Sequence, residues 1–225
     1  MFVSRELRKK NIAEYLLYMW QVEDLLRAYD CSLSRIRREY IDQFDYTDEQ
    51  KEEMADWYGD LIRMMNQEGH RQSGHLQINQ IVLQQLSELH AELLASTEHP
   101  FYTSEYYKVL PYIVELRRKR GDGSEEPEIE TCFNALYGMM MLRLQKKEVS
   151  PDTQHAIKEI TLLLGMLNDY YMKERDYREP HPSPPQKGGK CGVRSEECGV
   201  RIESCAKALR KPKEKDGSPR RGKGW

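Results

Sequence analysis

The sequence predicts an all-α protein, an antiparallel bundle of about seven helices followed by a disordered basic tail. Three observations predict it. Apolar residues recur at a period near 3.6 in seven separate segments, no segment alternates like a half-buried strand, and the connections are short enough to favour antiparallel neighbours.

Ser4 is a fitting N-cap for a first helix that runs to about residue 30. Within it, NIAEYLLYMWQVEDLLRAY is the most apolar sustained helical pattern of the chain, the helix around which the others are expected to pack. Ile12, Tyr15, Leu16, Met19, Val22, Leu26 and Tyr29 share one broad face, with Trp20 at its edge. Glu23 falls inside that stripe, four residues after Met19 and three before Leu26, so its carboxylate points where a side chain loses water. An ionised carboxylate in such a place must pair or take up a proton. His90, Asn79, Asn168 or an arginine of a neighbouring helix are the expected partners.

A shorter helix over 33–44 buries Leu33, Ile36, Tyr40, Ile41 and Phe44. Thr47-Asp48-Glu49-Gln50 is a capping-box signature that opens the third helix, whose Met54, Trp57, Tyr58, Leu61, Met64 and Met65 form one face up to Gly69. The fourth helix, 73–96, gathers Leu76, Val82, Leu83, Leu86, Leu89 and Leu93, and places His75, Asn79 and His90 within the same apolar arc. A fifth, 101–120, carries Pro111 opposite its stripe, where the lost hydrogen bond faces water. Gly121-Asp122-Gly123-Ser124 makes a turn, a sixth helix follows over 126–147, and Ser150-Pro151 opens a seventh that ends near 178.

From residue 180 the composition shifts to PHPSPPQKGGK, which cannot support a packed core. The tail holds 12 Lys and Arg against 5 Asp and Glu, a charge of +7, which leaves −9 on residues 1–179. The expected division is therefore a helical bundle domain over 1–179 and a disordered Pro/Gly/Lys/Arg-rich tail over 180–225. The first ten residues lack an apolar signal core, and the longest apolar runs fall far short of the ~20 residues that span a bilayer. With only Cys31 and Cys132 in the body, a disulfide framework is not expected, and the expected address is the cytoplasm.

The stretches SRELRKKNIAEYLLYMWQVEDLLRAY, GHRQSGHLQ and LHAELL resemble a bacterial family known only as a domain of unknown function, found mainly in the Bacteroidetes. The likeness covers about residues 1–178. It implies a small cytosolic helical protein and supplies no activity, substrate or site. Members of that family stop soon after the last helix, so the resemblance marks residues 180–225, with their tandem CGVR, as a strain-specific extension or a frameshift product.

The residues singled out for ligand binding are Glu23, Asp24, His75, Asn79 and His90. No catalytic residue, metal or cofactor is expected. His70 and His75 are five residues apart, which separates two side chains of one helix by about 140°, and His75 and His90 would stand about 22 Å apart along a helix. Arg117-Arg118-Lys119-Arg120 at a helix C-terminus complements the macrodipole and reads as a solvated end. The favoured function is an interaction or scaffold protein without catalytic activity, docking another protein or a second copy of itself. The alternatives are a small-ligand binder or enzyme with a polar pocket around Glu23 and His90, or weak nucleic-acid binding through the basic tail, which the acidic body opposes.

Overall fold

The computed structural model describes residues 2–120 and 126–178. The turn expected at Gly121-Asp122-Gly123-Ser124 and the tail lie outside the described residues. Among those described there are eight α-helices and no strand: α1 (Phe2–Lys10), α2 (Ile12–Ala28), α3 (Leu33–Glu39), α4 (Asp48–Gln67), α5 (Gln77–Ala95), α6 (Pro100–Arg120), α7 (Glu128–Leu144) and α8 (Pro151–Arg178). The all-α expectation holds, and no helix among the described residues is long and apolar enough to cross a membrane.

Eight helices replace the expected seven because the first one is cut at Asn11. The backbone of Asn11 is extended, with φ −154°, and its side-chain oxygen accepts from Glu14 N at 2.9 Å, so it caps a new helix. A second orphan donor of that helix end, Ile12 N, reaches Asn168 Oδ1 at 2.8 Å. Asn168 thus holds the start of α2 and not the Glu23 carboxylate. Ser4 is no cap either; it lies buried inside α1.

The 33–44 segment is α3 followed by a 3₁₀ turn, Ile41–Gln43. The expected capping box is present, with Gln50 N on Thr47 Oγ1 and Thr47 N on Gln50 Oε1. The fourth predicted helix starts four residues late, at Gln77, and the reason is Gly74. With φ +84° it sits in the left-handed region, so the chain turns there, and Leu76, with φ −55° and ψ 140°, is the non-helical residue that leads into α5. Pro111 lies on an exposed position of α6, and the helix continues through it.

Thirteen of the 17 residues of α2 are buried, which makes it the core helix by burial. By packing, α8 is the more central, resting against α2, α5, α6 and α7. Trp20, Tyr18, Leu16, Leu17, Met19 and Leu26 are all sealed from solvent, at roughly 1.5–3 kcal/mol for each large apolar side chain. Buried side chains so placed fix the rotation of α2, and that rotation decides where its polar residues go.

A carboxylate-centred cleft between helices

On α2, Trp20, Glu23, Asp24 and Arg27 follow the i, i+3, i+4, i+7 spacing of one helix face. That face meets the loop over 68–76, the start of α5 and one side of α7. Glu23 is 1% exposed and accepts three hydrogen bonds, from His75 Nδ1 at 2.7 Å, Leu76 N at 2.9 Å and Asn79 Nδ2 at 2.7 Å. Three donors replace the water that the carboxylate lost. With an ionised Glu23 able only to accept, Nδ1 of His75 carries a proton and donates it to the carboxylate.

The His75 ring lies flat on Trp20, with centroids 4.1 Å apart and planes 13° from parallel. Phe133 and Tyr137 of α7 meet the same indole edge-on. Asp24, beside Glu23 on that face, has other partners: it accepts from Arg27 at 2.9 Å and from the Tyr137 hydroxyl. Burial, helped by the Asp24 carboxylate, pushes the Tyr137 phenol above its ordinary pKa, so it stays a donor. Arg27 then donates to the carbonyl oxygens of His70 and Gly74 and clamps the loop that carries His75.

Over this layer opens a partly enclosed cleft of about 420 Å³, lined by Trp20, His75, Asn79, Leu83, Ser87 and Glu130 among others. Two polar atoms of its lining residues are buried without a hydrogen-bond partner, Asn79 Oδ1 and Trp20 Nε1. The Asn79 amide cannot be turned to hide the oxygen, since Glu23 demands its NH₂ group. Buried polar atoms of this kind are uncommon, and each costs about 1–3 kcal/mol.

His90 does not join this group. It sits on α5 eleven residues beyond Asn79, with Nδ1 2.6 Å from the Tyr102 hydroxyl and Nε2 3.4 Å from Glu128 Oε2. Tyr106 donates to the other Glu128 oxygen at 3.2 Å. Burial lowers the His90 pKa against the opposing pull of Glu128, and a neutral ring suits the site, accepting from Tyr102 and donating to Glu128. Of the expected partners of Glu23, therefore, Asn79 is in place, His90 and Asn168 serve other helix contacts, and the hydrogen bonds to Glu23 come from His75, Leu76 and Asn79 with no arginine of a neighbouring helix among them. His75 takes the role expected of His90.

Trp20, Arg27 and Tyr137 are site residues that sequence reasoning missed. The polar face Trp20-Glu23-Asp24-Arg27 on an apolar helix could have revealed the first two; nothing local marks Tyr137. The basic run ending α6 is not wholly solvated, because Arg117 donates to Thr131 Oγ1 at 3.4 Å and to the Glu126 carbonyl, tying α6 to the start of α7. Among the described residues, no three His, Cys, Asp or Glu side chains stand where they could hold a metal ion together.

A family described as a domain of unknown function (DUF4924) matches residues 1–178. No curated protein and no solved structure matches the chain.

Proposed function

The chain belongs to the DUF4924 family, a domain of unknown function, and from the geometry of its cleft we propose that it is a small-molecule-binding helical protein. The ligand sits over Trp20, His75 and Asn79, with Glu23 holding the histidine and asparagine from below. The observation that carries this reading is the partly enclosed cleft itself, walled by a His75 ring that Glu23 and Trp20 hold in place while 28% of its side chain stays exposed. A concave, partly apolar wall with a fixed aromatic side chain at its surface is the form of a small-molecule site.

Glu23 and His75 orient and bind. The carboxylate fixes the orientation of the imidazole, so the rest of the His75 ring is presented at a set position. Asp24 and Arg27 support the arrangement through Tyr137 and the loop over 68–76. Two buried cysteines, Cys31 and Cys132, both unpaired, support a reducing cytoplasm as the address. A second reading, docking of another protein, is favoured by the exposed Phe101, Tyr107 and Val114 of α6, at 83%, 64% and 57% exposure.

The test is a nitrogen–proton correlation spectrum of the full chain titrated with a library of neutral, cationic and anionic fragments. The expected result is saturable shifts of the Trp20 indole and the Asn79 side-chain amide, lost in Ser87→Phe, which fills the cleft from α5 without touching the Glu23 contacts. Shifts confined to α6, or none at all, would contradict a ligand site here.

A further inference from the structure

The side of α6 turned away from the bundle carries an interaction surface that is independent of the cleft. Its inner side is fully buried at Tyr102, Val109 and Ile113, where the helix packs on α5, α7 and α8. Directly opposite, Ser104, Tyr107, Pro111, Val114 and Arg118 follow one another at steps of three and four, and all five are exposed. Such steps make the seam between two helices packed side by side. A solvated helix face is polar at these positions, whereas this one presents Tyr107 and Val114, with Phe101 on its flank. A helix with apolar residues on both sides is expected to be covered on both.

The seam is held ready for a partner. Tyr106, whose hydroxyl donates to Glu128, backs the Tyr107 ring with centroids 5.4 Å apart. Pro111 has no N–H, so the Tyr107 carbonyl is left on this face without its helical donor. On the flank, Lys108 bonds Glu105 at 2.8 Å and Glu115 bonds Lys119 at 2.7 Å. The ammonium of Lys108 keeps further protons to donate, and the carboxylate of Glu115 further lone pairs to accept.

What fits this face is a second α6 running antiparallel. With Pro111 set against the partner's Val114, a twofold axis falls between positions 112 and 113, and every other contact occurs twice. Lys108 then faces the partner's Glu115. Tyr107 faces the partner's Arg118, whose guanidinium can lie on the ring and donate to the freed carbonyl. A parallel arrangement would set Arg118 against the partner's Arg118, so charge selects the antiparallel one. The face is complementary to itself, and that singles out a second copy of the chain over another protein. We propose that the outer face of α6 is the interface of a homodimer, packed antiparallel over Tyr107, Pro111 and Val114, with Lys108 and Glu115 paired between protomers.

Sedimentation velocity of the full chain, from micromolar to near-millimolar, tests it. A dimer, or a monomer that converts to one as the concentration rises, is expected. Tyr107→Glu and Val114→Glu, both at exposed positions, should each leave a monomer with an unchanged helical circular dichroism spectrum. Lys108→Glu and Glu115→Lys should each weaken the dimer about fivefold, and the double variant should recover most of that loss. Recovery separates the interface from effects within one chain, because positions 108 and 115 of one helix stand about 10 Å apart. A full chain that is monomeric throughout would overturn the proposal. With the Tyr107 ring then shielded from a dissolved paramagnetic agent, the face would belong to the chain's own tail; with the ring accessible, to another protein. A dimer unmoved by Tyr107→Glu and Val114→Glu, or a double variant no tighter than either single one, would overturn it as well.

Discussion

Glu23 is the residue on which the site depends. Its burial was legible, because a carboxylate between Met19 and Leu26 on a helix that apolar has nowhere else to point. Its main partner was not, since His75 reaches it from a loop 52 residues away whose path no local pattern states. Replacing Glu23 with Ala leaves His75, Leu76 N and Asn79 without their acceptor, and about 3–5 kcal/mol of stability is expected to go with it. Glu23→Gln keeps the acceptor for Leu76 and Asn79, and its amide can donate to a His75 that moves its proton to Nε2, so the cost should be well under half of that. Denaturant midpoints for the three proteins at neutral pH check this; near-identical values would mean that the three bonds carry no stability.

His90 makes a separate prediction about pH. Burial holds its pKa below the ordinary 6.5, so between the two values the unfolded chain binds more protons than the folded one. Stability from this residue is therefore complete above 6.5 and is lost as the pH falls toward the folded pKa. The His90 ring protons should titrate with a midpoint below 6.5, and His90→Asn should lose less stability than the wild type between pH 7 and pH 5. A midpoint at or above 6.5 would contradict the placement of a neutral ring between Tyr102 and Glu128.

At the scale of the element, helix existence was legible and helix ends were not. The Thr47 capping box and the Ser150-Pro151 start are short-range signals with a single reading, and both ends fall where they put them; Ser150 Oγ accepts from Thr153 N at 3.3 Å. Asn11 and Gly74 were misread because each residue type is also tolerated inside a helix, and tertiary partners decided otherwise: Asn168 for the start of α2, Arg27 and Glu23 for the loop before α5. Gly74 matters most to function, since the turn it makes delivers His75. A Cβ there would stand 2.7 Å from the His70 ring on a backbone with φ +84°. Gly74→Ala should cost about 1–2 kcal/mol and raise hydrogen exchange at the Leu76 amide, which Glu23 holds. Unchanged exchange there would show that the loop keeps its path without the glycine.

Across the whole molecule, the apolar faces of α2 and α8 bring into one layer residues that the sequence scatters from Trp20 to Tyr137. Seven stripes at helical period made the fold class readable, because each stripe is a local record of a buried face. The cleft was not readable, because it is made by the crossing of α2, α5 and the start of α7, and crossings leave no local record. The central claim is that this cleft, floored by Trp20, His75 and Asn79, is a ligand site. A crystal structure of the full chain soaked with a mixture of small neutral, cationic and anionic fragments tests it most directly. Density in contact with His75 and Asn79 is the predicted result; a cleft that stays empty while fragments occupy other surfaces would contradict it.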